Sequence, residues 1–252
     1  MSETFKNRLL AKELLIGTFV KTPSPMLCEV LAGTELNMVC LDAEHSPFDR
    51  LVQDQCLYAL RSQQMPSLVR VPSAAPEYTL NALDCGATGI VIPHVKTAEM
   101  AISVAAAAHF GAGGRGYAGS TRAAAYTTKK MPDHLADSAK QTTVIAQIED
   151  VEALDVIDEI AAIEGIDCLF IGMIDLTVAL GAASPKAPEV IAAAEKICTA
   201  ARAFNRRLGI FVPSVADIPF WQERGVSLFL LASDHAFLRQ GAADLLSRVR
   251  DQ

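Results

Sequence analysis

Short apolar runs rich in β-branched residues alternate with longer stretches rich in Ala, Leu and Glu along the whole chain of 252 residues. Each run is almost continuously apolar, which is typical of parallel strands buried on both faces. Eight strands are predicted, at Leu15–Phe19, Met38–Leu41, Ser67–Val71, Gly89–Ile92, Thr143–Ile148, Cys168–Ile171, Leu208–Val212 and Leu228–Ala232. The alternation therefore predicts a parallel α/β protein.

The intervening stretches predict eight helices, at Pro25–Ala32, Arg50–Arg61, Pro76–Asp84, Thr97–His109, Val151–Ala161, Pro188–Phe204, Val215–Glu223 and Ala236–Arg250. Eight strand–helix pairs in about 250 residues indicate a (β/α)8 TIM barrel. An open doubly wound sheet is the alternative, but it usually has fewer strands. No break in composition marks a second domain, so residues 1–252 are predicted to form one barrel domain.

Composition and charge limit the location and the partners of the chain. Hydrophobic residues make up 51% of it, and 22 Lys and Arg against 29 Asp and Glu give a net charge of −7. An acidic surface repels phosphate backbones, which disfavours nucleic acid as a partner. No apolar run approaches the roughly 20 residues of a membrane helix, and the polar N-terminus lacks a signal peptide's apolar core. A soluble, cytoplasmic protein without membrane partners is predicted.

The six cysteines are scattered through apolar segments without a C-x-x-C pair. In such positions cysteines are typical of small buried hydrophobic residues rather than of a disulfide framework or a zinc site. They are Cys28, Cys40, Cys56, Cys85, Cys168 and Cys198.

Charged side chains are scarce within the predicted strands and crowd where the strands end. In a barrel this edge carries the catalytic groups. Glu149 and Asp175 follow neighbouring strands, which lie about 4.8 Å apart. Two carboxylates that close repel each other unless they share a cation or a proton, and the pair therefore indicates a divalent metal such as Mg²⁺, Mn²⁺ or Co²⁺. The alternative is that each carboxylate caps a helix or pairs with an Arg.

Two further side chains at this edge suit acid–base and anion chemistry. His45 is a candidate general base because its ordinary pKa lies near neutrality, and Asp42 and Glu44 lie close enough in sequence to orient it. A hydrogen-bonded loop histidine is the equal alternative. Arg70 ends an apolar strand and needs an anionic partner, which is either a structural carboxylate or charge that develops on a substrate oxygen.

One motif is misleading. Gly111–Gly116 matches G-x-G-x-x-G, but a dinucleotide site requires that pattern after a strand and before a helix. Here it follows a predicted helix, so NAD binding is not expected, and the segment near residues 111–128 is predicted to be an active-site loop insertion. His94 and His109 are interpreted as ordinary loop and helix-end residues.

Six short motifs follow one another along the chain: Leu41–Pro47, Val69–Val71, Ile92–Val95, Gly114–Gly116, Gln147–Glu149 and Phe170–Leu176. Together they resemble the metal-dependent class II pyruvate aldolases of the 4-hydroxy-2-oxoheptanedioate aldolase family, the HpcH/HpaI aldolase/citrate lyase family, over essentially the full chain. The resemblance implies a (β/α)8 barrel that reversibly cleaves 4-hydroxy-2-oxo acids to pyruvate, or a related 2-oxo acid, and an aldehyde through a metal-stabilised enolate.

The resemblance also implies roles for individual residues. Glu149 and Asp175 would hold Mg²⁺, Mn²⁺ or Co²⁺, Arg70 would stabilise the enolate oxygen, and His45 would take part in proton transfer. The remaining implied site residues are Gln147, which lines the pyruvate site, the backbone around Gly172, Met173 and Ile174, which holds the substrate carboxylate, and Phe211, which shapes the donor or aldehyde side.

The resemblance further implies a homo-oligomer, usually a hexamer built as a trimer of dimers, in which Asp84 reaches a neighbouring subunit's site. Relatives carry a proline where this chain has Met173, so the shape of the carboxylate pocket is open. A Schiff-base aldolase is not expected, because no lysine ends strand six.

Three other functions compete with the aldolase. A lyase of the same superfamily that acts on a coenzyme A thioester would be longer at its C-terminus. A phosphate-binding isomerase would need a Gly-rich grip after strands seven and eight, which this chain lacks. A non-catalytic oligomeric barrel would not be expected to keep His45, Arg70, Glu149 and Asp175 together.

Overall fold

The computed structural model describes residues 3–250. Eight parallel strands form one closed barrel in which each strand pairs with its sequence neighbours and β1 closes on β8. The strands are β1 Leu15–Val20, β2 Met38–Asp42, β3 Ser67–Arg70, β4 Gly89–Ile92, β5 Thr143–Ile148, β6 Cys168–Ile171, β7 Arg207–Val212 and β8 Leu228–Ser233. The predicted TIM barrel is confirmed, and every strand lies within about two residues of its predicted bounds.

The helices are α1 Phe5–Leu10, α2 Pro25–Ala32, α3 Arg50–Ser62, α4 Pro76–Asp84, α5 Ala98–Ala108, α6 Met131–Gln141, α7 Val151–Asp155, α8 Ile157–Ala162, α9 Met173–Ala179, α10 Pro188–Ala203, α11 Ile218–Gln222 and α12 Asp234–Arg250. The predictions of single helices over Val151–Ala161 and Val215–Glu223 are wrong. The first is interrupted at Val156, whose φ of −120° is not helical, and the second begins as a 3-10 turn. Three helices were not predicted, namely the short α1 and α9 and the 11-residue α6.

The core has two layers that follow from the alternation of side chains along each strand. One layer packs the outer strand faces against the helices, and the other fills the barrel interior. Phe5 and Leu9 on α1 join the interior layer beside Leu15, at the point where the strands begin. The unpredicted α1 therefore covers the N-terminal end of the barrel and leaves the C-terminal end as the open mouth.

Helix α12 is unlike the other barrel helices because its buried residue is Asp234, at its first position. The Asp234 carboxylate accepts the backbone N–H groups of Lys21 and Thr22, both at 2.9 Å. The large apolar side chains of α12 are exposed, namely Phe237, Leu238, Leu245, Leu246 and Val249.

The segment Gly111–Thr128 connects α5 to α6 and so precedes β5. Connections that lead from a helix to the next strand lie at the N-terminal face of a barrel, away from the mouth. The G-x-G-x-x-G pattern in this segment therefore does not connect a strand to a helix. It also lies away from the strand ends that form the mouth.

Five of the six cysteines are buried, Cys85 is half-buried, and all six are free thiols. This confirms their interpretation as small core residues. Among residues 3–250, no helix combines the length and the apolar character that crossing a bilayer requires.

Candidate functional site

A cavity of about 1330 Å³ opens at the mouth of the barrel. It collects eight of the eleven side chains that the sequence analysis assigned to the site. These are His45, Arg70, Gln147, Gly172, Met173, Ile174, Asp175 and Phe211. Asp42 and Glu149 are buried next to lining residues, whereas Asp84 lies elsewhere.

Arg70 is held by the carboxylate of Asp42 on the neighbouring strand, and its Nε also lies 3.3 Å from Glu44 Oε2, just after that strand. Asp42 and Arg70 are register partners on β2 and β3, and the Arg70 guanidinium donates to Asp42 Oδ1 at 3.0 Å and approaches Oδ2 to 2.8 Å. Lys21 Nζ lies 3.2 Å from the same carboxylate. Burial alone would raise the pKa of Asp42, but the hydrogen bond and charge of Arg70 outweigh it and lower the pKa. Asp42 is therefore a buried anion that fixes the position of Arg70, and Arg70 lines the cavity.

His45 is more loosely placed. Its backbone N–H donates to Asp42 Oδ1 at 3.2 Å, and its ring Nε2 lies 3.6 Å from Glu44 Oε2. The His45 side chain is 54% exposed. Of the two carboxylates predicted to orient the imidazole, Glu44 is the one that faces the ring, and Asp42 holds the backbone beneath it.

Glu149 is buried under the floor of the cavity with one donor on each oxygen. Gln147 Nε2 donates to Oε2, and the backbone N–H of His94 donates to Oε1 at 2.9 Å. Burial raises the pKa of Glu149, and the negative charge of Asp175 adds to the increase. Gly172 is required beside it, because a Cβ there would stand 2.4 Å from the Glu149 Cβ.

Asp175 lies in the first turn of α9, lines the cavity and is half-buried. The unpredicted α9 begins at Met173, directly after β6, so its first backbone N–H groups have no acceptor within the helix. The chain turns from β6 directly into this helix through Gly172. These amides border the cavity next to Asp175.

His94 is the residue that the sequence analysis missed. It was interpreted as an ordinary loop residue, but its ring lies among three carboxylates. Its Nδ1 is 2.9 Å from Asp150 Oδ2 and 3.5 Å from Glu149 Oε1, and its Nε2 is 3.6 Å from Glu44 Oε1. The signal was its position directly after β4, at the same edge as the other candidates.

Two sets of residues at the mouth have the chemistry to hold a divalent cation. Glu149 and Asp175 are the predicted pair. Glu44, His94 and Glu149 each offer one ligand atom, and these atoms lie within 4.8 Å of one another. Within residues 3–250, Glu44 Oε2 and Gln147 Oε1 are buried without a hydrogen-bond partner. Buried oxygen atoms without a hydrogen-bond partner beside buried carboxylates fit a cation, because a buried anion is costly until it is neutralised.

The opposite wall of the cavity is mainly apolar. It is formed after β6 and β7 by residues that include Phe211, Ile191, Phe220 and Trp221. Phe211 stacks against Phe19 with ring centroids 5.9 Å apart. This wall offers volume and shape rather than reactive groups.

Asp84 and the segment Gly111–Thr128 lie away from this cavity within one chain. Asp84 ends α4, ahead of β4, and forms an ion pair with Arg115 of that segment. Arg115 also lines a separate cavity of about 470 Å³ together with Phe110 and Tyr117. The catalytic role of Asp84 and the loop over the active site therefore stay predictions that require a neighbouring copy.

Comparison with known proteins identifies a family and several relatives. The family profile described as HpcH/HpaI aldolase/citrate lyase matches residues 15–239. A protein named 5-keto-4-deoxy-D-glucarate aldolase, from Enterobacter sp. (strain 638), is 34% identical over 243 residues, which are 96% of this chain and 94% of the relative.

Solved structures agree in fold. An HpcH/HpaI aldolase/citrate lyase family protein from Burkholderia cenocepacia J2315 superposes with a TM-score of 0.91 at 31% identity, covering 97% of this chain and 98% of that one. The citrate synthase SbnG superposes with a TM-score of 0.88 at 26% identity, covering 98% of each chain.

Proposed function

Because the chain belongs to the HpcH/HpaI aldolase/citrate lyase family, we propose that it is a metal-dependent aldolase, a carbon–carbon lyase. The proposed reaction reversibly cleaves a 4-hydroxy-2-oxo acid to pyruvate, or a related 2-oxo acid, and an aldehyde. The observation that carries the proposal is the meeting of Glu149, Asp175 and Arg70 at one cavity. The substrates are small molecules, in keeping with an acidic chain for which no nucleic acid is expected.

Cleavage and its reverse both proceed through an enolate of pyruvate, which positive charge would stabilise. Arg70, fixed from behind by Asp42, faces the cavity and would stabilise the negative enolate oxygen. Glu149 and Asp175 would hold Mg²⁺, Mn²⁺ or Co²⁺, which when bound supplies Lewis-acid polarisation of the keto group. Without such charge, the proton on the pyruvate methyl carbon is too weakly acidic to remove.

The remaining residues would bind the substrate and transfer its proton. His45, which is exposed at the mouth, would move the proton between the substrate and water. Gln147 would contact pyruvate. The free backbone N–H groups that follow Gly172, at Met173 and Ile174, would donate to the pyruvate carboxylate.

The relative's name supports the substrate class. A 5-keto-4-deoxy-glucarate has a keto group next to one carboxylate, a methylene next to that keto group, and a hydroxyl on the following carbon. Counted from the keto end, it is a 4-hydroxy-2-oxo acid. Phe211, on the apolar wall, would shape the aldehyde side of this reaction.

The direct test is cleavage of 5-keto-4-deoxy-D-glucarate with release of pyruvate. We expect release after metal-stripped protein is given Mg²⁺, Mn²⁺ or Co²⁺, and none in the presence of a chelator. Glu149→Gln and Asp175→Asn should both abolish the metal-dependent rate. Release of pyruvate at an equal rate with a chelator present would contradict a metal-dependent aldolase.

We also propose a homo-oligomer, a hexamer built from dimers. The exposed apolar residues of α12, including Leu238, Leu245 and Val249, would be covered by a second copy. In this assembly Asp84, with the segment near 111–128, would approach a neighbour's cavity. A mass of six chains by light scattering is expected, and a monomer at micromolar concentration would contradict it.

A further inference from the structure

We propose that Glu44, His94 and Glu149 form a divalent-cation site with an imidazole ligand, in addition to the predicted pair of Glu149 and Asp175. The site shares Glu149 with the proposed aldolase chemistry, but its existence does not depend on that reaction. Its new element is His94, a side chain with no role in the proposed cleavage.

Asp150 fixes a proton on the Nδ1 nitrogen of His94. Nδ1 lies 2.9 Å from Asp150 Oδ2, and an ionised carboxylate can only accept a hydrogen bond. Nδ1 therefore carries a proton, and Nε2 of the neutral ring would offer its lone pair to a cation. A carboxylate that fixes Nδ1 in this way is the usual partner of a histidine that binds metal through its other nitrogen. Lys96 Nζ, at 2.9 Å from Asp150 Oδ1, holds that carboxylate in turn.

His94 and Glu44 face each other across the site. His94 Nε2 lies 3.6 Å from Glu44 Oε1, which is too long for a hydrogen bond. A second proton on the ring, or a cation between the two atoms, would relieve the repulsion between their lone pairs. Ligand atoms on neighbouring vertices of a coordination sphere with bonds of about 2.1 Å lie about 3.0–3.4 Å apart, close to the observed spacing.

The two carboxylates of the site are buried. The Glu44 side chain is 8% exposed and that of Glu149 2% exposed. Glu44 Oε2 has no hydrogen-bond partner within residues 3–250, since Arg70 Nε approaches it to 3.3 Å but donates its hydrogen bond to Asp42. One guanidinium therefore serves both Asp42 and Glu44, and a divalent cation would neutralise the charge that remains on Glu44 and Glu149.

The backbone of His94 adopts an uncommon conformation. His94 has a φ of +55°, in the left-handed region that side-chain-bearing residues seldom adopt. This conformation directs its N–H at Glu149 Oε1 and its ring at Glu44 and Asp150. Such strain persists where the surroundings fix it, and it is concentrated at functional sites.

The donor set indicates which cation the site prefers. One imidazole nitrogen and two carboxylate oxygens suit Mn²⁺, Co²⁺ or Zn²⁺, whereas Mg²⁺ prefers oxygen alone. The pair of Glu149 and Asp175 offers oxygen only and makes no such distinction. Imidazole ligation should therefore appear as a preference for transition metals over Mg²⁺.

The experiment is pulsed electron paramagnetic resonance of the whole protein loaded with Mn²⁺, which detects a directly bound nitrogen. Two histidines face Glu44 at the same 3.6 Å, His45 and His94, and they serve as matched variants. We expect nitrogen modulation in the parent and in His45→Asn, and its loss in His94→Asn. Asparagine tolerates the left-handed backbone and keeps the N–H, so the variant should fold.

Affinity gives a second readout. Asp150→Asn should weaken Mn²⁺ or Co²⁺ binding by about 10–100-fold, the usual effect of removing such a partner, and should change Mg²⁺ binding little. Bound Mn²⁺ without nitrogen modulation in the parent would overturn the imidazole site and leave the aldolase proposal standing. Modulation lost in His45→Asn but kept in His94→Asn would overturn it as well. Failure of Glu149→Gln to affect pyruvate release would count against the aldolase proposal alone.

Discussion

The two sides of the barrel mouth differ in what they offer a substrate. The side formed by β2 to β5 places Asp42 and Glu44 within 3.3 Å of Arg70, and ligand atoms of Glu44 and Glu149 within 4.8 Å of each other. The side formed after β6 and β7 is mainly apolar, with Asp175 at the boundary between them. The two sides therefore suit two different tasks. Fixed charged groups stabilise the charge that develops on the 2-oxo acid during reaction, and a shaped apolar surface selects the aldehyde.

The largest effect is expected at the charged side. Glu149→Gln keeps the shape of the side chain but removes a charge that both candidate cation sites share. Losing the cation would cost several kcal/mol of transition-state stabilisation, which corresponds to about a thousandfold or more in rate. The measurement is pyruvate release together with metal content. A variant that binds metal as the parent does and retains a tenth of its rate would break the assignment.

Arg70→Lys should separate electrostatics from metal binding. It keeps a positive charge for Asp42 but loses the fork that reaches both oxygens, and we expect the rate to fall by about 10²–10³-fold with metal content unchanged.

Arg70→Met is the contrasting variant. It leaves buried Asp42 with only Lys21 as a cation and should lower the free energy of unfolding by about 3–5 kcal/mol in urea titrations. If Arg70→Lys were fully active, Arg70 would be a structural ion-pair partner and nothing more.

The apolar side should affect the aldehyde alone. Phe220→Ala removes an aromatic surface of the cavity and is expected to raise the KM for apolar aldehydes by about tenfold, on the scale of 1–3 kcal/mol for such contacts. Hydrogen exchange at the pyruvate methyl group should stay within about twofold of the parent. An equal loss in both measurements would show that the two sides are not separable.

The smallest effect is expected where the two sides meet. Asp234 joins the end of β8 to the end of β1 by accepting two backbone N–H groups. Burial raises the pKa of Asp234, but the Thr22 side chain and these backbone hydrogen bonds outweigh it and lower the pKa. A lowered native pKa stabilises the fold above the unfolded value of about 3.9, and that contribution is lost as the pH falls through the native value.

Asp234→Asn should therefore cost about 1–3 kcal/mol at pH 7 and progressively less below pH 4. Urea unfolding of parent and variant at several pH values and one protein concentration measures the difference. A cost that does not change between pH 7 and pH 3 would contradict the charge-based account.

The fold was predictable because each strand is a separate apolar run, and eight such runs have few alternatives. The short helices α1 and α9 were not predictable, because six or seven residues are too few to show the helical periodicity of apolar side chains. The stability of such short helices comes from packing. The candidate site was predictable where residues end strands, as for Arg70 and Glu149. The position of the His94 ring was not, because it depends on a left-handed backbone and on carboxylates distant in sequence.

The central claim is that this cavity forms an enolate of pyruvate when a divalent metal is present. The most direct measurement is deuterium exchange into the pyruvate methyl group, followed by NMR, with metal-stripped protein compared with protein given Mg²⁺, Mn²⁺ or Co²⁺. We expect exchange only when metal is present. This exchange should be lost in Glu149→Gln and strongly reduced in Arg70→Lys. No exchange with any of the three metals would contradict pyruvate as the donor, and equal exchange without metal would contradict the role of the cation.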